Sequence, residues 1–214
     1  MDKNIIIAID GPSGVGKGTL AKSVADYFHL PYLDTGLLYR AVGRKMLDAG
    51  EKPDSKSVLA FAENLQEKDW LRNDLRIPEV DKAASQVAAN PKIRAALLNV
   101  QRNFAMLRGG VMDGRDIGTV IFPSADFKFY LTASPRIRAE RRWLQFANSS
   151  KAENKEQQIN KIEMDLKTRD EMDSSREVAP LKPAEDAIVI DTDHLTALEV
   201  LEKVVNKVKR HNNC

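Results

Sequence analysis

Short apolar runs alternate with helical patterns along the chain, and this alternation predicts the fold class. The runs are rich in apolar and β-branched residues and span positions 5–10, 31–34, 110–113, 126–132 and 187–191. Strands that are separated by helices form a parallel sheet whose faces those helices cover. The pattern therefore predicts an α/β fold with a parallel five-stranded sheet flanked by helices.

Two helix starts are marked by residues that favour helix N-termini. The first helix is predicted to begin near Gly16, and apolar residues follow at every fourth position, at Leu20, Val24 and Phe28. Another is predicted to begin after Ser134, whose hydroxyl suits an N-cap, with Pro135 as its first residue.

Three further segments are interpreted from their apolar pattern or from its absence. Positions 50–89 show no clear strand pattern and predict helices and loops. The polar stretch 148–158 predicts a mobile connection. Positions 196–210 predict an amphipathic helix, whose apolar side is expected to consist of Leu198, Leu201, Val205 and Val208.

The composition indicates one soluble domain. With 214 residues, 43% of them hydrophobic and 30% charged, the chain can bury one core with room for a small lid. A net charge of +2 is too small to indicate nucleic-acid binding. Cys214 is the sole cysteine, so no internal disulfide can form, and no stretch resembles a signal peptide or a membrane span. We therefore expect a cytoplasmic protein that binds neither nucleic acid nor membranes.

The stretch GPSGVGKGT at positions 11–19 predicts a phosphate-binding loop. It lies between an apolar run and a helical pattern, so its backbone N–H groups can point into one concavity at the positive end of a helix. Lys17 adds a charge for the β- and γ-phosphates, while Gly18 stands where serine or threonine is usual. A glycine-rich turn without a ligand is the alternative. The predicted phosphate-binding residues are Gly11, Pro12, Ser13, Gly14, Val15, Gly16, Lys17, Gly18 and Thr19.

The nature of the phosphate acceptor decides which other residues the protein needs. An alcohol acceptor usually requires a positioned carboxylate that takes its proton. A nucleoside monophosphate requires none, because its second ionisation lies near pH 6 and the phosphate is largely dianionic at neutral pH. The obstacle to this transfer is the repulsion between the polyphosphate of the donor and the phosphate of the acceptor. Guanidinium groups relieve it by binding phosphate in a planar fork.

Two arginines lie just beyond predicted strand ends, Arg40 in LDTGLLYR and Arg115 in MDGRDIGT. Ligands of open α/β sheets bind at the carboxyl ends of the strands, which favours a binding role for both. Further arginines lie in predicted helices, namely Arg94, Arg138, Arg141, Arg142, Arg169 and Arg176. For each of these taken alone, a surface salt bridge is the alternative.

Five blocks of the sequence resemble bacterial-type cytidylate kinases over nearly the whole chain. They are DGPSGVGKGTLA, YLDTGLLYRA, KAASQVAANPKIRAALL, MDGRDIGTVIFP and RDEMDSSREVAPLKPAEDAIVIDT. The resemblance implies a P-loop NTPase-type kinase domain over 1–214, with a monophosphate-binding insertion at about 50–89 and a short lid at about 138–155. It also implies ATP as the phosphoryl donor, Mg²⁺ as cofactor and a monomer.

The resemblance further implies an acceptor side. Thr35, Tyr39 and Arg40 match the acceptor segment, with Arg40 on the acceptor phosphate. Arg169 and Asp173 match the positions that hold the ribose. A threonine at position 35 replaces a frequent serine and keeps the hydroxyl.

Ser85, Arg94 and Asp116 match the positions that read the cytosine edge. An ionised carboxylate accepts and a guanidinium donates, which suits the N4 amino group of cytosine and its N3 or O2 acceptors. The alternative for Asp116 is an ion pair with Arg115 or a cap on the following turn.

The remaining implied roles concern phosphate and metal. Arg115 and Arg176 match phosphate-binding arginines, and Thr19 and Asp113 are the candidates for Mg²⁺, directly or through water. A capping role is the alternative for Asp113. The candidates for the lid arginine are Arg138, Arg141 and Arg142.

The sequence departs from the family in the insertion. The family insertion often contains a small antiparallel sheet, whereas positions 70–77 show no alternating pattern. The shape of the insertion and the approach of Arg76 to the acceptor therefore stay open.

The predicted reaction is phosphoryl transfer from ATP to CMP or dCMP. The alternatives are a P-loop kinase of UMP or of a small alcohol such as shikimate, and an ATP-dependent nucleic-acid-binding switch. The alcohol kinase predicts a carboxylate base and fewer arginines, and the switch predicts a concentrated basic face.

Overall fold

A parallel five-stranded sheet forms the centre of the protein. The computed structural model describes residues 4–106, 108–146 and 154–212. Within these residues the strands lie in the order β2-β3-β1-β4-β5, and every neighbouring pair is parallel. The strands are β1 (Ile6–Asp10), β2 (Tyr32–Asp34), β3 (Gly110–Gly114), β4 (Phe127–Thr132) and β5 (Ile188–Asp191). The predicted sheet is confirmed.

Helices cover both faces of the sheet and form the excursion beyond β2. They are α1 (Lys17–Phe28), α2 (Thr35–Asp48), α3 (Lys56–Glu63), α4 (Glu67–Trp70), α5 (Pro78–Ala88), α6 (Pro91–Met106), α7 (Pro135–Phe146), α8 (Lys155–Ser174) and α9 (Ala197–Asn212). A single π-helical turn, Ile117–Ile121, follows β3. As predicted, α7 begins at Pro135, and the N–H of Ile137 donates to the Oγ of Ser134 at 3.4 Å.

The main core lies between the central strand and two helices. Ile7 and Ile9 of β1 are fully buried against α1 and α9, together with Phe129 of β4. Burial on both faces explains why β1 is an almost continuous apolar run without alternation. As predicted, Val24 and its four-residue neighbours on α1 face this core.

The segment 50–89 has a helical core of its own. Helices α3, α4 and α5 lie in this segment without any strand, as the sequence predicts. Val58 and Val87 pack with Leu38 of α2 and Leu97 of α6 in one buried cluster. This cluster fixes α5 against α2, and α5 carries site residues toward the sheet edge.

Two details of the predicted helices are wrong. Leu198 is 63% exposed, and the apolar side of α9 is formed by Val200, Val204, Val205 and Val208 with Leu201 partly buried. At 3.6 residues per turn, Leu198 lies about a quarter of a turn from the centre of that side. The polar stretch 148–158 is not all connection, because Lys155 begins α8; positions 148–153 lie outside the described residues.

The carboxyl ends of the strands meet at one edge, where the strand register sets which residues are neighbours. Asp34 of β2 pairs with Asp113 of β3, and Asp10 of β1 pairs with Gly114 of β3. Strands β1, β2 and β5 end in an aspartate, and Asp113 is the last residue but one of β3. The carboxylates of Asp10, Asp34 and Asp113 accept hydrogen bonds at this edge of the sheet.

Candidate active site

The loop between β1 and α1 has the backbone geometry of a phosphate cradle. Gly16, just before α1, has φ 92°, a conformation that side chains other than glycine rarely adopt. At Gly11 a Cβ would lie 2.5 Å from the carbonyl oxygen of Leu131, so the close approach of loop and β4 also requires glycine. Val15 is buried in the main core and anchors the loop from below.

Arg138 holds this loop in place from α7. Its Nη1 donates to the carbonyl of Ser13 at 3.0 Å, its Nε to the carbonyl of Ala133 at 3.0 Å, and its Nη2 pairs with Asp170 at 2.6 Å. The side chain of Arg138 is 3% exposed. In this conformation Arg138 supports the loop from behind, so its predicted role as the lid arginine stays a prediction.

A cavity of about 480 Å³ opens beside the loop, at the carboxyl edge of the sheet. Most of the predicted site residues line it: Ser13, Gly14, Gly16, Lys17, Gly18, Thr19, Thr35, Tyr39, Arg40, Ser85, Arg94, Asp113, Arg115, Asp116, Arg141, Arg142, Arg169, Asp173 and Arg176. Gly11, Pro12, Val15 and Arg138 lie behind this surface. The structure thus brings together residues from seven separate chain segments.

Lys17 lines the cavity where the phosphate loop meets α1. Its Nζ donates to the carbonyl of Pro12 at 3.1 Å, which folds the side chain back over the loop. Desolvation, together with the nearby Arg115, lowers the pKa of Lys17, while Asp113 and Asp34 oppose that change. A bound polyphosphate would favour the charged form, because an anion at this position offsets both effects.

Two carboxylates from adjacent strands lie next to Lys17. Asp113 is 4% exposed, and its Oδ1 accepts from the hydroxyl of Tyr32 at 2.8 Å, while Thr35 donates to its backbone carbonyl at 2.8 Å. Burial and the neighbouring Asp34 raise the pKa of Asp113. A divalent cation would relieve both effects, so the hard oxygen donors here fit Mg²⁺. Among the described residues, no group of three or more acidic, His or Cys side chains could hold a metal ion.

The three predicted base-reading residues are buried and line the cavity, and two of them form a pair. Arg94 donates to Asp116, and the two side chains are 7% and 6% exposed. The guanidinium of Arg94 also lies 5.4 Å from the ring centre of Tyr39. Ser85 donates to the carbonyl of Asp81 at 3.3 Å. The partner of Asp116 is therefore Arg94, and the alternative pairing with Arg115 does not occur in this conformation.

Asp173 joins two of the predicted phosphate arginines. Its Oδ2 accepts from the Nε of Arg115 at 2.8 Å and its Oδ1 accepts from Arg176. These cations lower the pKa of Asp173 despite its burial. Because Asp173 is 1% exposed, the carboxylate holds both guanidinium groups in a fixed position at the cavity wall.

A second carboxylate, Asp81 of α5, joins arginines from three other helices. Its Oδ1 accepts from the Nε of Arg40 at 2.8 Å, and its Oδ2 accepts from Arg142 at 2.6 Å and pairs with Arg169 at 3.5 Å. Burial would raise the pKa of Asp81, but Arg40, Arg169 and Arg142 together lower it to about 2. Arg141 points elsewhere and donates to Thr192, which follows β5.

The sequence analysis did not identify four residues of the site, which are Asp10, Tyr32, Asp34 and Asp81. Tyr32 and Asp34 line the cavity, and Asp34 accepts a hydrogen bond from Arg76 at 2.7 Å. Asp10 accepts from the N–H groups of Ile117 and Gly118 at 2.9 and 2.8 Å, and burial raises its pKa to about 7. The fourth is Asp81. Strand-terminal aspartates were a visible signal for Asp10 and Asp34, whereas nothing in the sequence around Asp81 distinguishes it from an exposed helix residue.

Helices long and apolar enough to cross a membrane are absent from the part of the chain that the structure describes.

Comparison with known proteins places the chain in a family. The family model for cytidylate kinase matches residues 7–210. A cytidylate kinase of Granulibacter bethesdensis is 52% identical over 207 residues, which are 96% of this chain and 97% of that protein. One of Acidiphilium cryptum is 48% identical over 212 residues, covering 97% and 98% of the two chains.

A solved structure shares the fold at much lower identity. The crystal structure of a gluconokinase from Sinorhizobium meliloti has a TM-score of 0.52 and 15% identity, and the match covers 98% of this chain and 94% of that one. This likeness shows the fold alone, since one fold carries many activities. The family match, in contrast, spans the phosphate loop, the buried Arg94–Asp116 pair and the arginines around Asp81 and Asp173, and the chain therefore belongs to the cytidylate kinase family of ATP-dependent phosphotransferases.

Proposed function

We propose that this protein transfers the γ-phosphoryl group of ATP to CMP or dCMP, giving ADP and CDP or dCDP. One observation carries the proposal for the site: the phosphate loop and the buried Arg94–Asp116 pair line the same cavity, together with Arg40, Arg115 and Arg176. A nucleoside monophosphate bound there would have its base at the pair and its phosphate facing the loop.

The donor end would bind the phosphates of ATP. The backbone N–H groups of the loop and the start of α1 stabilise negative charge, and Lys17 adds a cation at the transferring group. Thr19 and Asp113 would hold Mg²⁺, directly or through water, and the ion would neutralise charge on the phosphates when bound. Asp10 would keep the turn after Arg115 in position through its two backbone hydrogen bonds.

The acceptor end needs no general base, because the acceptor phosphate is largely dianionic at neutral pH. Arg40, Arg115 and Arg176 would bind the acceptor phosphate and stabilise the charge that develops during an in-line transfer. Arg169 and Asp173 would hold the ribose. The lid arginine would come from Arg138, Arg141 or Arg142, or from more than one of them.

The base end would select cytosine by polarity. Asp116 accepts from the N4 amino group and Arg94 donates to N3 or O2, with Ser85 and Tyr39 forming the rest of the pocket wall. Uracil would place an acceptor against Asp116 and a donor against Arg94. Each unmet buried partner costs roughly 1–3 kcal/mol, so CMP should be favoured over UMP by at least about tenfold.

The proposal includes the organisation of the chain. The segment of about 50–89 serves as the monophosphate-binding insertion and about 138–155 as the lid, which closes to keep water from the transferred group. The helices of the first segment and the position of α7 above the loop support this division. The enzyme acts as a cytoplasmic monomer. Light scattering of the purified protein tests the oligomeric state, and cell fractionation tests the localisation.

A coupled assay of ADP release tests the reaction. CMP, dCMP, UMP, AMP, shikimate and single-stranded RNA are compared as acceptors at equal ATP and Mg²⁺. The expected result is turnover with CMP and dCMP that exceeds turnover with UMP at least tenfold and with shikimate by more. Faster turnover of shikimate, or ATP hydrolysis that RNA stimulates and CMP does not, would overturn the proposal. No observation here favours either alternative.

A further inference from the structure

Asp81 lies where positive charge converges from three helices. Arg40 on α2, Arg142 on α7 and Arg169 on α8 all direct guanidinium groups at its carboxylate, at 2.8, 2.6 and 3.5 Å. Both carboxylate oxygens are used, because Oδ1 accepts from Arg40 and Oδ2 accepts from Arg142. The Asp81 side chain is 13% exposed and lines the cavity itself.

The three cations exceed the charge of the one carboxylate. Arg169 shows the imbalance, since its Nε is buried without a hydrogen-bond partner among the described residues. Burial and the nearby Arg115 lower its pKa to about 10. A carboxylate carries one negative charge, whereas a phosphate monoester at neutral pH carries nearly two and offers three acceptor oxygens. Such a group would satisfy this cluster better than Asp81 does.

We propose that Asp81 occupies the position of the acceptor's phosphate in the free protein and sets the negative charge that an acceptor must bring. The inference rests on the proposed function, which assigns Arg40 to the acceptor phosphate. To bind, an acceptor displaces the carboxylate from its arginines. A phosphate dianion does so because it pairs more strongly with them, whereas a nucleoside or a weak monoanion does not. Asp81 is thus a specificity-determining residue.

Replacement of the Asp81 carboxylate by the acceptor phosphate also changes the contact between the insertion and the lid. Asp81 lies on α5, within the proposed insertion, and Arg142 lies on α7, within the proposed lid. The ion pair therefore joins insertion and lid in the free protein. When the acceptor phosphate displaces the carboxylate, the Asp81–Arg142 ion pair is broken. The insertion and the lid are then linked through the bound phosphate.

Isothermal titration with inorganic phosphate, CMP and cytidine tests the inference on Asp81→Asn. The variant keeps the size of the side chain and removes its charge. We expect phosphate and CMP to bind at least tenfold more tightly than to the wild type, because neither has to displace an internal anion. Cytidine is expected to bind both proteins equally weakly. Glu79→Gln removes the same charge from an exposed position on α5 and is expected to leave all three affinities unchanged.

Unchanged or weaker binding of phosphate and CMP by Asp81→Asn would overturn the proposal, as would an equal gain in Glu79→Gln. Circular dichroism checks folding, and Asp81→Ser replaces Asp81→Asn with the same expectation should the first variant not fold. Binding of inorganic phosphate does not depend on CMP being the substrate. If the wild type does not phosphorylate CMP but Asp81→Asn binds phosphate more tightly, only the proposed function is contradicted. If the wild type phosphorylates CMP but Asp81→Asn does not bind phosphate more tightly, only the role of Asp81 is contradicted.

Discussion

Arg94 of α6 donates to Asp116, which follows β3, and both side chains are buried. The two are 22 residues apart in the chain, and each satisfies the charge of the other. A buried ion pair is costly to break by removing one partner. Under the proposed function, selectivity for cytosine and local stability depend on the same two side chains.

Asp116→Asn is expected to narrow the CMP-to-UMP ratio of kcat/KM, because an amide can donate to O4 of uracil. The change should be roughly tenfold, which corresponds to one buried hydrogen bond of about 1–3 kcal/mol. Steady-state kinetics with both acceptors measures it, and the KM for ATP serves as the internal control. A ratio that stays the same in an active variant would remove Asp116 from base recognition.

Lys17→Ala is expected to lower kcat by about 10²–10³-fold, because a mobile cation at the transferring phosphoryl group is lost. The fold should persist, since among the described residues the Lys17 amino group donates a hydrogen bond only to the carbonyl of Pro12. Lys207→Ala on the exposed side of α9 is the matched control and should retain full activity. Equal turnover by Lys17→Ala and the wild type would refute the assignment of the phosphate loop.

Asp173→Asn is expected to reduce kcat/KM for CMP and dCMP by roughly 10–100-fold. The amide presents a donor to guanidinium groups, so Arg115 and Arg176 lose charge-assisted hydrogen bonds of about 1.5–3 kcal/mol each. Glu171→Gln, exposed on the same helix, provides the control. If Asp173→Asn turned over CMP as well as this control does, the two arginines would not need the carboxylate for their position.

The ion pairs of Asp81 should make stability depend on pH in acid. Its pKa of about 2 in the folded protein lies below the ordinary value of 3.8, so the unfolded chain binds the proton first as the pH falls. The stabilisation, about 2 kcal/mol, is fully present above about pH 5 and is lost as the pH falls through 2, with about half gone by pH 3.

Urea unfolding of the wild type and Asp81→Asn between pH 7 and pH 3 measures this contribution. The difference in the free energy of unfolding should be constant from pH 7 to pH 5 and should shrink by about half at pH 3. Both proteins share all other titrating groups, so these largely cancel in the difference. A difference that is equal at pH 7 and pH 3 would show that the arginines do not lower the pKa of Asp81.

Sequence alone was sufficient to predict the strands, the phosphate loop and most residues of the cavity wall. These features depend on local patterns: apolar runs mark buried strands, and glycines before a helix mark a turn that needs unusual backbone angles. Arg40 and Arg115 were identified because parallel strands bring their carboxyl ends to one edge. The residues predicted to read the base and hold the ribose follow from the family resemblance, which also rests on sequence.

The pairing of the charged side chains was decided only by the tertiary structure. No local pattern indicates that Asp116 pairs with Arg94, that Asp173 joins Arg115 to Arg176, or that Asp81 gathers its three arginines. Such pairs join segments far apart in the chain, and their geometry depends on how α5, α6, α7 and α8 pack around the sheet edge. Arg138 is a further example. Its position in the sequence of α7 does not distinguish it from an exposed arginine, but the packing of α7 against the phosphate loop buries it. The spacing of residues along a helix determines in which direction each side chain points from the helix axis. Which partner it meets there depends on where the other helices and strands lie.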